Sequence, residues 1–274
     1  MTLAAFALAL GSAFLHAVWN ILLARERDPE PATAIAICTS VVVFAPIAVV
    51  VWDVDRRVWP YIAVTSLLQL VYFSLLATVY RIAELSFVYP IARGLAPVFV
   101  LFVGVVALGT GATVAEAAGV CLVGLGIVLV RGIGGERDVA GGVLAVAIAS
   151  SIAAYTLVDK SGIRYANPIT YLELGMLPTA VGALALVSLL PSGRTRLRSA
   201  ARPVPALAGI LSFAAYALVL AALQRAPAAS VAAVRETSVL IVAVLAARTL
   251  GERVSPARLG GAALVVVGVA LIVL

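Results

Sequence analysis

Long apolar windows, separated by short polar or Pro/Gly-rich connections, follow one another along the whole chain. A helix needs about 20 mostly apolar residues to cross the hydrocarbon core of a bilayer. The windows of that length are 2–24, 32–52, 59–80, 86–108, 113–131, 139–160, 168–190, 203–224, 228–248 and 255–274. This pattern predicts an all-α integral membrane protein with ten transmembrane helices.

The composition supports this prediction. Hydrophobic residues make up 64% of the 274 positions and charged residues 12%, whereas soluble domains are about half apolar. The longest connection, at 191–203, is too short to hold a soluble domain with its own core. We therefore expect a multi-pass protein of the cell membrane, a bacterial inner or plasma membrane, whose basic residues lie near lipid head groups and bind no nucleic acid.

The residues that enzymes and metal sites use are scarce. The chain has one histidine, and its two cysteines, Cys38 and Cys121, fall on different predicted helices. That leaves no plausible His/Cys metal cluster or Ser/His/Asp set. The glycines of "GIGGERD" at 132–138 lack the strand and helix that a phosphate-binding loop requires. We expect a protein that is not an enzyme and has no catalytic site, metal or cofactor.

The two halves of the chain repeat one another. At a fixed spacing of 142 residues, the matched pairs are Arg93 and Arg235, Gly109 and Gly251, Thr113 and Ser255, Gly119 and Gly261, and Gly126 and Gly268. Upstream, a spacing of 137 places Pro31 on Pro168, and the longer Arg-rich connection of the second half absorbs the difference. The sequence thus predicts two five-helix units, 1–131 and 139–274, joined by a linker at 132–138.

An odd number of helices in each unit has a geometric consequence. The second unit must enter the membrane from the side opposite to the first, so matched residues lie at opposite depths. Inverted repeats of this kind build many secondary transporters, whose substrate sites lie near the membrane midplane where the repeats meet.

Several stretches resemble a known family. They are "HAVWN" at 16–20, "YPIARGLAPVFV" at 89–100 and the segment from 234 to 274, of which "LGERVSPARLGGAALVVVGVALI" at 250–272 is the most specific. With the five-plus-five plan, they resemble the EamA family of the drug/metabolite transporter superfamily over essentially the whole chain. The resemblance implies a ten-helix carrier of small metabolites, often an exporter of amino acids or related compounds, that works by alternating access.

The first half departs from the family pattern at one point. It has "LGTGATVAEAAG" where the family usually shows a Gly-Glu pair, so that Thr110 replaces the acid. A carboxylate with the same task in both halves is therefore not expected at this position.

Two arginines stand inside predicted membrane helices. A charge at the bilayer centre costs at least about 2.5–3.5 kcal/mol, so such groups usually face a partner or a wet cavity. Arg93 and Arg235 could line a cavity, pair with a carboxylate such as Glu173 or Glu236, or extend toward an interface. Their recurrence at matched positions favours a shared cavity.

The surroundings of the two arginines suggest an asymmetric anion site. A guanidinium presents five donors in a flat fork that suits a carboxylate or phosphate. Pro90 and Pro97 flank Arg93, and proline inside a helix frees carbonyl groups that can face a cavity. The second unit has no proline at either matched position, and has Glu236 beside Arg235.

Two polar stripes run along otherwise apolar helices at a spacing of four residues. The first contains Ser12, His16 and Asn20 with Trp19 beside it, and the second contains Ser151, Tyr155 and Asp159. Each stripe could line the central cavity or form hydrogen bonds between helices. The complete set of candidate cavity residues is His16, Trp19, Asn20, Gln69, Tyr72, Tyr89, Arg93, Tyr155, Glu173, Tyr216, Arg235 and Glu236.

The matched glycines have a different expected role. Gly119 and Gly126, like Gly261 and Gly268, lie seven residues apart, which allows two helices to approach closely. We expect the fifth and tenth helices to form a scaffold, or the contact face of a homodimer if the protein is not a monomer.

Orientation is left open by the sequence. Outside the two buried arginines, the connections after odd-numbered helices hold twelve Lys and Arg residues and the others five. The positive-inside rule then places both termini outside the cytoplasm, whereas the family resemblance implies cytoplasmic termini.

The function predicted from these features is secondary transport. The expected substrate is a small polar metabolite, such as an amino acid, an organic acid or a related anionic or zwitterionic solute, with export the expected direction. Coupling to protons or solute exchange is possible, His16 being one candidate proton carrier, and membrane lipids are the other expected partners. The alternatives are a multidrug or cation exporter, which would need an acid in the first helix where 2–24 has none, and a membrane-embedded lipid-processing enzyme.

Overall fold

The computed structural model describes residues 1–82, 85–131, 139–241 and 256–273. Within these ranges the chain is almost entirely α-helical, with two short 3-10 turns at Arg56–Val58 and Ile163–Tyr165. The α-helices are α1 (Leu3–Ala24), α2 (Pro29–Val50), α3 (Trp59–Ile82), α4 (Leu85–Leu108), α5 (Val114–Arg131), α6 (Val139–Gly162), α7 (Pro168–Leu189), α8 (Gly193–Ala200), α9 (Pro203–Leu223), α10 (Ala228–Arg235) and α11 (Pro256–Val273).

The predicted membrane architecture is confirmed in its main feature. Seven helices of the described part are long and apolar enough to cross a bilayer, and α5 and α11 contain the shorter apolar stretches Val114–Val130 and Gly260–Ile272. The count of ten spans stays a prediction, because the ninth window, 228–248, leaves the described residues after 241. The predicted linker at 132–138 and the residues 250–255 of the family-like hairpin also lie outside them.

The connection after α7 differs from the sequence prediction. Instead of a loop, it contains the short helix α8, in which Arg196 donates hydrogen bonds to Asp28 (2.6 and 2.7 Å) and to Glu30 (2.9 Å) at the start of α2. The two carboxylates raise the pKa of Arg196. These ion pairs fasten α8 to the connection between α1 and α2.

The ninth predicted helix is interrupted, although its sequence predicts one continuous span. α10 ends at Arg235, residues 236 and 237 form a turn, and the chain is helical again over 238–241. The side chain of Thr237 bonds back to the carbonyl of Val234 at 2.7 Å, which is the kind of local bond that competes with helical bonding.

The matched helix of the first unit, α4, is continuous although its sequence predicts breaks. Pro90 and Pro97 predict breaks around Arg93, yet α4 is one helix from Leu85 to Leu108. Proline inside a membrane helix is tolerated where neighbouring groups compensate for the lost bond. The two matched helices therefore differ, and the interruption lies in the unit that has no proline at the matched positions.

Contacts between connections define two ends of the bundle. At one end the α2–α3 connection touches the α6–α7 connection: the amide of Asp55 donates to the carbonyl of Tyr165 (2.8 Å), and the amide of Asn167 to that of Asp53 (3.0 Å). At the other end Arg196 binds the α1–α2 connection. The α1–α2 and α6–α7 connections thus lie at opposite ends.

α5 and α11 pack antiparallel through glycines, as the small-residue spacing predicts. A methyl group added at Gly119 would lie 2.6 Å from the carbonyl oxygen of Gly268, and one added at Gly126 would lie 2.6 Å from that of Gly261. Real side chains do not approach a backbone oxygen so closely, so these helices fit together only without side chains at these positions.

This packing yields a testable prediction for stability. Gly261→Ala should lower the free energy of unfolding by about 1–3 kcal/mol, the usual cost of overpacking, because the new methyl group would lie 2.7 Å from the oxygen of Gly126. Among the described residues, nothing lies within 4 Å of a methyl group added at the neighbouring Gly260, so Gly260→Ala is the matched control. Thermal unfolding in detergent measures both, and equal stability of the two variants would contradict the packing described.

Candidate functional site

Arg93 of α4 and Arg235 at the end of α10 meet at one carboxylate oxygen. Nη1 of Arg93 donates to Oε1 of Glu236 at 3.0 Å, and Nη2 of Arg235 donates to the same oxygen at 3.1 Å. The residues are only 5%, 3% and 1% exposed. Two buried guanidinium groups therefore share one buried carboxylate, and these three side chains together carry a formal net charge of +1.

This contact bears on two of the explanations for the intramembrane arginines, extension to an interface and pairing with a carboxylate. Neither Arg93 nor Arg235 extends to an interface, since their side chains are 6% and 4% exposed. The partner is Glu236, and in the described part of the chain Glu173 has no ion pair with either arginine. The alternative pairing with Glu173 is wrong.

Only one of the two carboxylate oxygens of Glu236 has hydrogen-bond partners among the described residues. Both arginines bind Oε1, while Oε2 is buried and has no hydrogen-bond partner among the described residues. Glu236 lies at the turn that follows α10, and its carboxylate contacts both arginines.

His16 extends the cluster on the side of α1. Its Nε2 lies 2.6 Å from Nη2 of Arg93. A guanidinium can only donate, so Nε2 must accept and the ring must be neutral in this contact. Trp19 packs edge-to-face on the His16 ring with centroids 4.8 Å apart, and Asn20 donates to the His16 carbonyl at 2.8 Å.

A row of tyrosines crosses the bundle beside the cluster. Tyr155 makes edge-to-face contacts with Tyr72 and Tyr216, with ring centroids 6.2 and 6.1 Å apart. Tyr155 and Tyr216 are also close enough to Arg235 for electrostatic interaction. The structure therefore brings three of the candidate tyrosines together next to the arginines.

Asp159 anchors one end of this row. It is fully buried and accepts hydrogen bonds from the hydroxyl groups of Tyr171 (2.9 Å) and Tyr216. The sequence placed Asp159 in a polar stripe, but it was not among the candidate site residues. The sequence did indicate Asp159 as a candidate, because an acid inside a membrane helix usually has a partner and a function.

A small pocket opens beside Arg93 between α3, α4 and α6. Its lining is otherwise apolar or aromatic and consists of Tyr72, Leu76, Val88, Ala92, Arg93, Ile148 and Ile152.

Two of the remaining candidates, Glu173 and Gln69, have no hydrogen bond or ion pair with the arginine cluster among the described residues. Glu173 on α7 is 9% exposed, and its Oε2 has no partner among the described residues. Gln69 donates to the hydroxyl of Thr65 at 3.3 Å, and the side chain of Tyr89 lies outside the described residues. Ser151, on the second polar stripe, bonds to the carbonyl of Leu68 at 3.0 Å, which is a contact between helices.

Comparisons with known proteins bear on the whole chain. A search of curated proteins finds no match. A solved structure, entitled only as a crystal structure of a protein, superposes with a TM-score of 0.78 at 16% identity, covering 99% of this chain and 96% of the other. At that identity the likeness concerns the fold alone. The model of the EamA-like transporter family matches residues 2–132 and again 139–274. The chain therefore belongs to the EamA-like transporter family.

Proposed function

We propose that this protein is a secondary transporter that exports a small polar metabolite bearing an anionic group, with Arg93 and Arg235 binding that group. The observation that carries the proposal is the sharing of one oxygen of Glu236 by two buried guanidinium groups. The net positive charge of this contact favours an anionic or zwitterionic solute and disfavours a lipophilic cation.

The proposal includes an inverted arrangement of the units 1–131 and 139–274. The matched α1–α2 and α6–α7 connections lie at opposite ends of the bundle, as inversion requires. The glycine contacts support it too: Gly119 packs on Gly268 and Gly126 on Gly261, which is the exchange of partners that a two-fold axis produces.

The position of the arginines fits a substrate site between the units. Arg93 and Arg235 are matched residues, so inversion places them at opposite distances from the midplane. Because both reach the same atom of Glu236, the proposed site lies close to mid-depth, where inverted-repeat transporters bind their substrates.

The interruption after Arg235 supports the same location. Broken helices often line the substrate site of a secondary transporter, since irregular backbone at membrane depth is tolerated only inside protein or at a cavity. Alternating access would then expose the arginine cluster first to one side of the membrane and then to the other.

A ligand-stabilisation screen of the purified protein tests this proposal. The panel contains amino acids, organic acids, phosphonates, nucleosides and lipophilic cations, because a bound solute raises apparent stability by mass action. We expect stabilisation by members that carry an anionic group, and expect the best of them to be transported by proteoliposomes. Stabilisation by the cations alone would contradict the proposal and favour a drug exporter.

A further inference from the structure

We propose, on the basis of the function proposed above, that Glu236 is an internal anion. It occupies the anion site when no solute is bound, and the anionic group of the solute displaces it. The structure holds a carboxylate where the two arginines could receive one from a solute. The site would then bind only solutes with a group that can replace the carboxylate of Glu236.

The first argument is electrostatic. Two guanidinium groups buried side by side repel each other and lack bulk water, so a counter-charge is needed to hold them together. Arg93 and Arg235 have that counter-charge in Glu236, which is 1% exposed. An internal anion that returns when the solute leaves would allow a site to keep both arginines buried.

The second argument concerns the incomplete binding of Glu236. Its Oε1 accepts from both arginines, while Oε2 is buried without a hydrogen-bond partner among the described residues. A buried carboxylate oxygen without a partner is costly. A free carboxylate, which no backbone holds, could instead offer one oxygen to each guanidinium or bind one of them through two parallel bonds. Replacement of Glu236 by a solute can therefore be favourable.

The third argument concerns freedom to move. Glu236 follows the last residue of α10, and the chain turns at 236 and 237 before it is helical again. A carboxylate at an existing interruption can change position without the loss of a complete helical turn. Arg93, in contrast, projects from the continuous helix α4, so the arginine remains while the carboxylate moves.

A variant that lacks only the charge tests this proposal. In Glu236→Gln the two arginines lose the negative charge that they share and should take up a small anion from solution in its place. We expect its unfolding temperature to rise by about 4 °C or more when chloride is raised from about 5 to about 300 mM by replacing the bulky anion HEPES at constant ionic strength. The wild type should change by about 1 °C or less under the same exchange.

Two further variants serve as controls. Glu173→Gln also removes a buried carboxyl group, but one without an arginine partner in the described structure, and it should gain no chloride dependence. Arg93→Gln combined with Glu236→Gln removes one of the two cations and should lose most of the gain. A chloride response in Glu173→Gln equal to that in Glu236→Gln would overturn the proposal.

The other outcomes are equally decisive. A folded Glu236→Gln variant without chloride dependence would show that no external anion replaces Glu236. If this variant cannot be purified, Glu236→Ala is measured instead, and failure of both to fold at high chloride also contradicts the proposal, since a bound anion should substitute for the carboxylate. The test needs no transported solute, so its result is independent of the screen that tests the proposed function.

Discussion

Arg93→Gln and Arg235→Gln are each expected to reduce transport of the best-stabilising solute by about 100-fold or more. Loss of one guanidinium lowers the local charge of the cluster from +1 to zero and leaves Glu236 paired with the remaining arginine. Truncating one partner of a buried, charged contact costs about 2–5 kcal/mol, and each 1.4 kcal/mol is a tenfold change in binding. Uptake into proteoliposomes with equal amounts of folded protein measures the effect.

An arginine elsewhere provides the control for charge alone. Arg57 is paired with a carboxylate as well, but its partner Asp55 lies in the exposed α2–α3 connection, and the side chain of Arg57 is 71% exposed. Arg57→Gln should leave transport unchanged within about twofold, since exposed ion pairs contribute little. Full transport by both buried-arginine variants would eliminate their role in solute binding.

Asp159→Ala is expected to lower the free energy of unfolding by about 3–5 kcal/mol. The carboxylate accepts hydrogen bonds from the hydroxyl groups of Tyr171 and Tyr216 and is fully buried. Its removal leaves the buried hydroxyl of Tyr171 and the partly buried hydroxyl of Tyr216 without their acceptor, at about 1.5–3 kcal/mol for each bond to a charged group. Unfolding in detergent by heat or denaturant measures the loss.

The control for this variant is Asp53→Ala, which removes an acid from an exposed position in the α2–α3 connection and should change stability by about 0.5 kcal/mol or less.

Tyr171→Phe and Tyr216→Phe, each combined with Asp159→Ala, show whether the hydrogen bonds to Asp159 account for the loss of stability. If the double variants are less stable than Asp159→Ala by the full cost of each tyrosine change, the tyrosine hydroxyls do not act through Asp159.

Much of the fold could be predicted from the sequence because spans are encoded by composition over about 20 residues. A composition averaged over about 20 residues does not reveal helices that are much shorter than that. α8 has only eight residues, three of them arginine, so no apolar pattern distinguishes it from a loop. What favours this helix is the contact of Arg196 with Asp28 and Glu30, which joins residues far apart in the chain.

The candidate site could be predicted in part for a related reason. The repeat spacing singled out Arg93 and Arg235, because duplication leaves a trace in the sequence itself. Which acid pairs with them depends on how the helices pack, so Glu173 and Glu236 could not be distinguished in advance. The turn at 236 and 237 was also missed, because proline marks potential breaks in a sequence whereas a side chain that bonds to its own backbone carries no such mark.

The most direct measurement of the central claim compares two ligands on two proteins. The ligands are the best-stabilising solute and its analogue with a carboxamide in place of the anionic group, and the proteins are the wild type and Arg93→Gln. If Arg93 binds the anionic group, the carboxamide should bind the wild type about 30-fold or more weakly than the solute does, and this difference should largely vanish in Arg93→Gln. An equal loss of affinity in both proteins would contradict the account, because the anionic group would then be recognised elsewhere.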